Sequence, residues 1–435
     1  MTGGNIAIGI IGFGTVGSGT AKILLNNRDI IRERIGFDLI LKRISDLDIT
    51  RDRGIKVSEG VLTTKAGEIL DDPEIDIVVE LIGGIHPAKD FILRAIRNKK
   101  HVVTANKALL ATEGNEIFSE AEKQGVEVGF EASVAGGIPI IKVLREGLVA
   151  NRILNVYGII NGTSNYILSR MTEERIEFSH ALKEAQKLGY AEADPTFDVE
   201  GIDSAHKLTI LASLAYNIPL AYKDVYREGI TKITPQDIEF ASELGYKIKL
   251  LTIAKAVDGE VELRVHPTMI PADYLISKVD GVFNAIYVEG DAVGSTLYYG
   301  RGAGDMPTGS AIVSDIIDIA RNMKINSTGR VPLIRTTPSP LRIRKMEDVE
   351  SMYFFRFSAF DSPGVLSKIS GILGDNNISI ASVIQKGRRF GGAVPLVVLT
   401  HRARERDVLR AIEAIDHLPV VADKTHFIRV EGKEG

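Results

Sequence analysis

The run Ile6-Ala7-Ile8-Gly9-Ile10-Ile11, followed at once by Gly12-Phe13-Gly14-Thr15-Val16-Gly17, decides how this chain is read. A short apolar segment of this kind reads as a buried strand, and the stretch from Thr20 to Leu25 resumes with helical composition. In the order strand, glycine turn, helix, the pattern G-x-G-x-x-G has a physical meaning. The first glycine makes the turn, the second lets a pyrophosphate approach the backbone, and the third packs helix on strand. The segment is therefore expected to bind a dinucleotide.

Working outward, β-like runs follow at Leu39 to Ile44, Ile75 to Leu81, Val102 to Thr104 and Val126 to Phe130. Helical stretches such as Ala88 to Arg97 and Asn115 to Gln124 separate them. Such alternation predicts a parallel sheet covered on both faces, an α/β domain over residues 1–140. From 141 to 330 long helices, around Ser179 to Leu188 and Ser204 to Tyr216, mix with β-like runs such as Val261 to Val265, which predicts an α+β domain. The segment 331–350, with Pro332, Pro338, Pro340 and several basic residues, suits a linker. Over residues 351–435, Tyr353 to Phe360, Val365 to Asn376, Ala393 to Leu399, Val408 to Ile415 and His426 to Val430 predict a ferredoxin-like β-α-β-β-α-β module. The linker is expected to let this tail move against the rest and to make it removable.

At roughly 150 residues per domain, a chain of 435 residues is long enough for these three. With 53 basic and 57 acidic side chains the formal charge is −4, so no basic stripe favours nucleic acid as a partner. The 44% hydrophobic and 25% charged composition is that of a globular protein. Cysteine is absent, which removes thiol nucleophiles and thiolate metal sites. No apolar run reaches the roughly 18 residues that span a bilayer, and Met1 to Asn5 lack the features of a signal peptide, so no membrane association and a cytoplasmic location are expected. No H-E-x-x-H, G-x-S-x-G or Walker pattern occurs, which turns the reading away from hydrolysis and phosphoryl transfer.

Cofactor choice stays open between NAD and NADP. Asp46, at the end of the second predicted strand, would accept a ribose hydroxyl and favour NAD; Arg43, Arg51 and Arg53 could pair with a 2′-phosphate, or be solvated loop charges. Ligands in such sheets collect beyond the carboxyl ends of the strands. Gly83-Gly84, Thr104-Ala105-Asn106-Lys107 and Glu131-Ala132-Ser133-Val134 should share that crevice. Lys107 reads either as a group that orients a cofactor amide or polarises a carbonyl, or as a surface charge beside a helix. The acidic stretch Gly189-Tyr190-Ala191-Glu192-Ala193-Asp194-Pro195-Thr196-Phe197-Asp198 leads to Asp203, four residues before Lys207, on one helical face. That pair is either a routine ion pair or a site; His206 reads as structural. Gly300 to Thr308, ahead of the helical run Ala311 to Asn322, is either a tight turn or a cofactor contact.

Taken in order, Gly12 to Gly17, Thr104 to Lys107, Gly162-Thr163-Ser164-Asn165-Tyr166, the acidic stretch up to Lys207, and Gly302 to Thr308 resemble homoserine dehydrogenase over residues 1 to about 325. The tail, with Asp361-Ser362-Pro363-Gly364-Val365-Leu366 and Asn377-Ile378-Ser379-Ile380, resembles an ACT regulatory domain. No aspartate kinase domain precedes the fingerprint, so the resemblance is to the monofunctional form. It implies a Rossmann-type domain, a substrate and dimerisation domain whose segment near 300–325 returns to the cofactor, and interconversion of L-homoserine and L-aspartate 4-semialdehyde with NADP or NAD. The branch implied is that of threonine, methionine and isoleucine biosynthesis. Residue by residue, it implies Lys207 as acid/base, ordered by Asp203, with Lys107 as a second active-site lysine. Glu192 is implied to bind the substrate ammonium, with Asp198 and Asp203 in the same acidic wall. Gly12, Phe13, Gly14, Thr15, Val16, Gly17, Thr104, Lys107, Gly189 and Gly304 are implied to contact the cofactor. Glu131 with backbone oxygens of Val134, Gly136 and Ile138 is implied to hold a sodium ion. Asp361, Gly364, Val365 and Leu366 are implied to bind an effector, with threonine the foremost candidate. A homodimer or higher homo-oligomer is expected. The competing reading is a non-catalytic nucleotide-binding amino acid sensor; an acylating semialdehyde dehydrogenase is excluded by the missing cysteine.

Overall fold

A computed structural model describes residues 5–385 and 392–432; Met1 to Gly4, part of the stretch judged to lack a signal peptide, lie outside it. Strands buried on both faces require continuous apolar runs, and the amino-terminal third supplies them. β1 (Ile6–Ile11), β2 (Leu39–Ser45), β3 (Leu62–Thr63), β4 (Ile77–Glu80), β5 (His101–Thr104) and β6 (Val128–Gly129) form one parallel sheet in the order β3-β2-β1-β4-β5-β6. This is the doubly wound order, which reverses beside β1 and opens a crevice there. The helices α1 (Thr15–Asn26), α2 (Arg28–Ile35), α3 (Gly67–Leu70), α4 (Ala88–Arg97) and α5 (Lys107–Gln124) connect the strands.

The chain then passes through α6 (Ile140–Lys142) into a second sheet built from β7 (Ile153–Ile159), β8 (Tyr226–Arg227), β9 (Tyr246–Val257), β10 (Glu260–Pro271), β11 (Phe283–Gly290) and β12 (Gly294–Arg301). Over it lie α7 (Gly162–Glu174), α8 (Phe178–Lys187), α9 (Thr196–Val199), α10 (Ile202–Tyr216) and α11 (Pro235–Glu243). A long helix, α12 (Asp305–Lys324), leaves this sheet and packs against α1. Ile312 and Ile316 on α12 are fully buried in one core with Ile8, Ile10 and Val79. The approach is backbone to backbone: a Cβ on Gly19 would lie 2.3 Å from the Asp305 carbonyl oxygen, and one on Gly309 would lie 2.9 Å from Gly19. Small residues at both helices are what permit it.

The tail contains β13 (Arg342–Ile343), β14 (Glu350–Phe360), α13 (Val365–Asp375), β15 (Ile380–Gln385), β16 (Ala393–Thr400), β17 (Ala403–Arg404), α14 (Glu405–Asp416) and β18 (Val421–Val430). Its own core, with Tyr353, Phe355, Phe357, Ile369 and Val398, is fully buried. The expectation of a module on a loose tether meets a different arrangement. β18 pairs in parallel with β10, Thr268 opposite Arg429 and Met269 opposite Val430, so both parts share one twelve-stranded sheet. The linker is pinned too. Arg344 N–H donates to the Val261 carbonyl at 2.9 Å, its guanidinium pairs with Glu260 at 2.8 Å, and Arg145 donates to the Val331 and Pro332 carbonyls. The proline-rich segment is irregular over 331–341, then forms β13, which pairs in parallel with β10, and its basic residue Arg344 is an anchor. At the seam, Glu431 accepts from Lys255 and from Arg264, and Arg429 pairs with Glu405 and Glu228. Among the described residues no helix is long and apolar enough to cross a membrane.

Candidate active site

The glycine turn is shaped by sterics. Gly12 has φ +104°, a region that favours glycine, and a Cβ on Gly17 would stand 2.0 Å from the Gly12 carbonyl oxygen. Around Gly14 there is open space, as the position facing a pyrophosphate requires. Phe13 N–H donates to the Asp46 carboxylate at 2.6 Å, and Asp46 pairs with Arg53 at 3.3 Å. Arg53 also donates to the Phe13, Arg51 and Asp48 carbonyls, and its guanidinium lies 5.2 Å from the Phe13 ring centre. Arg43 is likewise engaged, with the Gly60 carbonyl at 3.0 Å and Glu68 at 3.5 Å. Asp46 lies 34 positions after Gly12, a spacing lengthened by α2, yet it still arrives beside the fingerprint.

At the neighbouring strand ends, Thr104 is buried and its hydroxyl donates to Glu80 at 2.7 Å. Glu80 in turn accepts from Ile82 and Gly83 N–H, while burial pushes its carboxyl above the ordinary range. Asn106 caps α5 through Leu109 N–H and donates to the Gly84 carbonyl at 2.7 Å. Lys107 is thereby the first residue of α5, directed out of the sheet end. Glu80 has no place in the motifs, although a carboxylate closing the apolar run Ile77-Val78-Val79 is a visible signal, and Asn106 stands in the Thr104 to Lys107 segment without an assigned role.

Lys107 reaches across to the second domain, where its ammonium lies 3.1 Å from Asp203 and 5.7 Å from the Phe197 ring centre. Lys207, one turn along α10, donates to the other Asp203 oxygen at 2.6 Å and to the Ile160 carbonyl at 2.6 Å. One buried carboxylate thus holds two ammonium groups. Burial of Asp203 alone would raise its pKa, but the charges of Lys207 and Lys107 hold it far below the carboxylate range. The two lysines diverge. Asp203 raises Lys107 against a smaller desolvation effect, whereas burial, aided by the Lys107 charge, lowers Lys207 against the pull of Asp203. Asp198 is raised by burial and hydrogen-bonded to Asn161. Glu192 is exposed on the approach to this cluster, and its charge acts on Lys107. His206 is buried between Phe197 and Tyr222, ring centres 5.5 and 4.4 Å away, and desolvation lowers it to about 4, so it is neutral.

Gly189 (φ +75°) opens the acidic stretch, and Gly304 (φ +127°) precedes α12 next to the amino-terminal half of α1. The Glu131 carboxylate accepts from Ile141 and Lys142 N–H at 2.8 and 2.9 Å, so it is turned into α6. Burial, reinforced by Asp315, pushes it up to about 7. The loop behind it offers main-chain oxygens: Ala135 and Gly136 both have positive φ, the Ile138 carbonyl accepts from Ile140, and among the described residues no hydrogen-bond donor reaches the Val134 or Gly136 carbonyl. No group of three or more His, Cys, Asp or Glu side chains suits a metal among the described residues. Main-chain oxygens of this kind are the ligand type a hard cation takes. In the tail, Asp361, Gly364, Val365 and Leu366 line a cavity of about 230 Å³ together with Gln385 and Val394, at the start of α13.

Comparison with known proteins bears on the chemistry. Residues 139–317 match the family described as homoserine dehydrogenase, residues 12–131 its NAD binding domain, and residues 353–417 the ACT domain. A homoserine dehydrogenase of Pseudomonas aeruginosa is 50% identical over 432 residues, covering 98% of this chain and 99% of that protein. One from Bacillus subtilis is 40% identical over 433 residues, covering 98% of each. A crystal structure of a homoserine dehydrogenase from Thiobacillus denitrificans superposes with a TM-score of 0.93 at 50% identity, covering 98% of both chains. A hyperthermophilic archaeal homoserine dehydrogenase in complex with NADPH superposes at 0.62 and 26% identity, covering 76% of this chain and 100% of that one.

Proposed function

The chain belongs to the homoserine dehydrogenase family, an oxidoreductase with a nucleotide-binding domain and an ACT domain, and from that membership we propose that its chemistry runs on the Lys107–Asp203–Lys207 cluster. The substrate pair is L-homoserine and L-aspartate 4-semialdehyde, on the branch leading to threonine, methionine and isoleucine. The observation that carries this reading is one buried carboxylate, Asp203, holding ammonium groups from two domains, Lys107 at 3.1 Å and Lys207 at 2.6 Å, with the two lysines displaced in opposite directions. Paired groups whose environments drive them apart divide acid and base work between them. Lys207, desolvated and lowered, takes the hydroxyl proton of homoserine and returns it to the carbonyl oxygen in reverse. Lys107 stays cationic and stabilises the negative charge that develops on that oxygen. Asp203 orients both. The nicotinamide ring, when bound, supplies hydride exchange at its C4 atom.

Glu192, exposed at the mouth of the cluster, takes the substrate ammonium, and Asp198 deepens the negative wall. Gly12 to Gly17 bind the pyrophosphate, with Thr104, Gly189 and Gly304 at the cofactor's other edges. Between the two cofactors, the geometry supports NAD: Asp46 is an anion beside the fingerprint, and the guanidinium groups of Arg43 and Arg53 are already engaged by local acceptors. A sodium ion would be held by Glu131 with the backbone carbonyls of Val134, Gly136 and Ile138, tightening the turn that abuts the Gly302 loop. The cavity at Asp361 takes an end-product amino acid such as threonine, its carboxylate at the start of α13 and its ammonium at Asp361. Tyr299 on the edge strand β12 and Val293 just before it are exposed apolar side chains, which supports a homodimer or higher homo-oligomer; the location that goes with this activity is the cytoplasm.

The test is Lys207→Ala. Turnover of L-homoserine, followed by absorbance of the reduced nicotinamide with NAD and with NADP, should fall by about 10²–10⁴ in kcat while cofactor affinity holds. Near-normal kcat in the folded variant would return Lys207 to the role of a buried ion pair.

A further inference from the structure

Asn161 ends the connection from β7 and precedes the first residue of α7; it is 6% exposed. Its Nδ2 has two hydrogens, and both are committed: to Asp198 Oδ1 at 2.7 Å and to Asp203 Oδ2 at 2.8 Å. Its Oδ1 accepts from Ser164 N–H at 2.8 Å and caps α7. The reversed amide would face a carbonyl oxygen towards two carboxylates and an NH₂ towards a donor, so the network admits one orientation. The oxygen of Asp203 that Asn161 grips is also the one that accepts from Lys207, and the Ile160 carbonyl, one residue earlier, is the second acceptor of Lys207. Two consecutive residues thus fix both hydrogen bonds of the lysine.

Two carboxylates sharing one amide would otherwise repel, and a buried acid relieves repulsion by turning away or by taking a proton. Either change alters where Lys207 points. The other titratable or charged groups facing this pair are Lys107 on α5, Glu192 in the acidic loop, and Lys207 and neutral His206 on α10.

We propose that Asn161 is a positioning residue for the reaction: by bridging Asp198 and Asp203 it holds Asp203 in the rotamer that aims Lys207 at the substrate oxygen, and holds Asp198 in the ammonium-binding wall. The inference rests on the proton-shuttle reading of Lys207. Its role is separable from folding because Asp and Ser both cap helices. Asn161→Asp keeps the cap acceptor for Ser164, removes both donors and adds a negative charge. Asn161→Ser keeps a capping oxygen and loses the bridge without adding charge.

Both variants should lower kcat by about 10–100-fold, the loss expected when hydrogen bonds to buried charges are removed. Both variants should stay folded, with melting temperature lowered most in Asn161→Asp, while NADH affinity, by fluorescence titration, should stay near wild type. Homoserine oxidation needs Lys207 neutral, so its rate rises with pH as that lysine loses its proton. A third carboxylate favours the charged lysine, so in Asn161→Asp this ascending limb should move to higher pH; in Asn161→Ser it should move less. A folded Asn161→Asp variant with wild-type kcat and an unmoved limb, measured beside an inactive Lys207→Ala, would overturn the inference alone. An active Lys207→Ala would overturn the reading beneath it.

Discussion

Replacing Glu431 by glutamine removes one negative charge from the seam between the tail and the substrate domain. Glu431 accepts from Lys255 at 2.5 Å and from Arg264 at 2.6 Å, and Arg264 is 1% exposed. The two cations hold the Glu431 carboxyl down from 4.5 to about 2, against the opposing effect of burial. At about 1.4 kcal/mol per tenfold change in proton affinity, that displacement corresponds to about 3 kcal/mol. Mutational experience gives a similar figure, about 3–5 kcal/mol for breaking a buried pair. The lower end applies because Arg264 keeps Glu262 at 3.1 Å. The sign follows from the direction: a depressed carboxylate contributes stability above pH 4.5 that is lost as pH falls towards 2. Thermal melts of wild type and Glu431→Gln at neutral pH should therefore differ by several degrees, and the gap should close as pH falls through that window. A difference below about 1 kcal/mol, or acid profiles that run parallel, would refute the view that this ion pair fastens the tail. The same geometry bears on truncation after Arg344. Removing β18 would bare the β10 edge and leave Arg264 and Lys255 without Glu431, so the shortened chain should melt well below the full-length protein rather than behave as an enzyme freed of an appendage.

Glu192→Gln should raise KM for homoserine by about 10-fold or more with little change in kcat, because its contact exists in both ground and transition states; steady-state kinetics showing a pure kcat effect would contradict the assignment. Gly17→Ala places a methyl 2.0 Å from the Gly12 carbonyl oxygen, so the turn must open; cofactor titration should show affinity lost for NAD and NADP alike, and retained binding of either would count against the close-packed turn. Asp361→Ala should weaken inhibition by threonine several-fold while leaving basal kcat unchanged. If the intact protein shows neither inhibition nor a thermal shift with millimolar threonine, isoleucine or methionine, the tail cavity is structural.

Much of the first domain was legible because its signals are local. A six-residue apolar run marks β1, a glycine fingerprint whose steric demands act within a few residues marks the turn after it, and 3.6-residue periodicity marks α4 to its ends. The Asp203–Lys207 pair was equally visible as an i,i+4 spacing on one helical face. What that spacing could not decide was whether the pair is a surface ornament or a buried site, since burial depends on β7, α5 and α9 closing around α10. Lys107 arriving at 3.1 Å from the free side of Asp203 settles that the pair is a three-charge cluster, and it comes from another domain. Asn161 carried no signal, because an asparagine before a glycine reads as a turn residue until two carboxylates from later helices converge on it. The tail shows the limit most plainly. Most of its own elements were readable from their patterning, β15 being the strand that was not, but Arg264 and Glu431 are 167 residues apart, and proline-rich chain between them looked like slack. Strand pairing and ion pairing across that distance are set by which edges remain uncovered once both sheets have formed, a property of the assembled fold and of no segment within it.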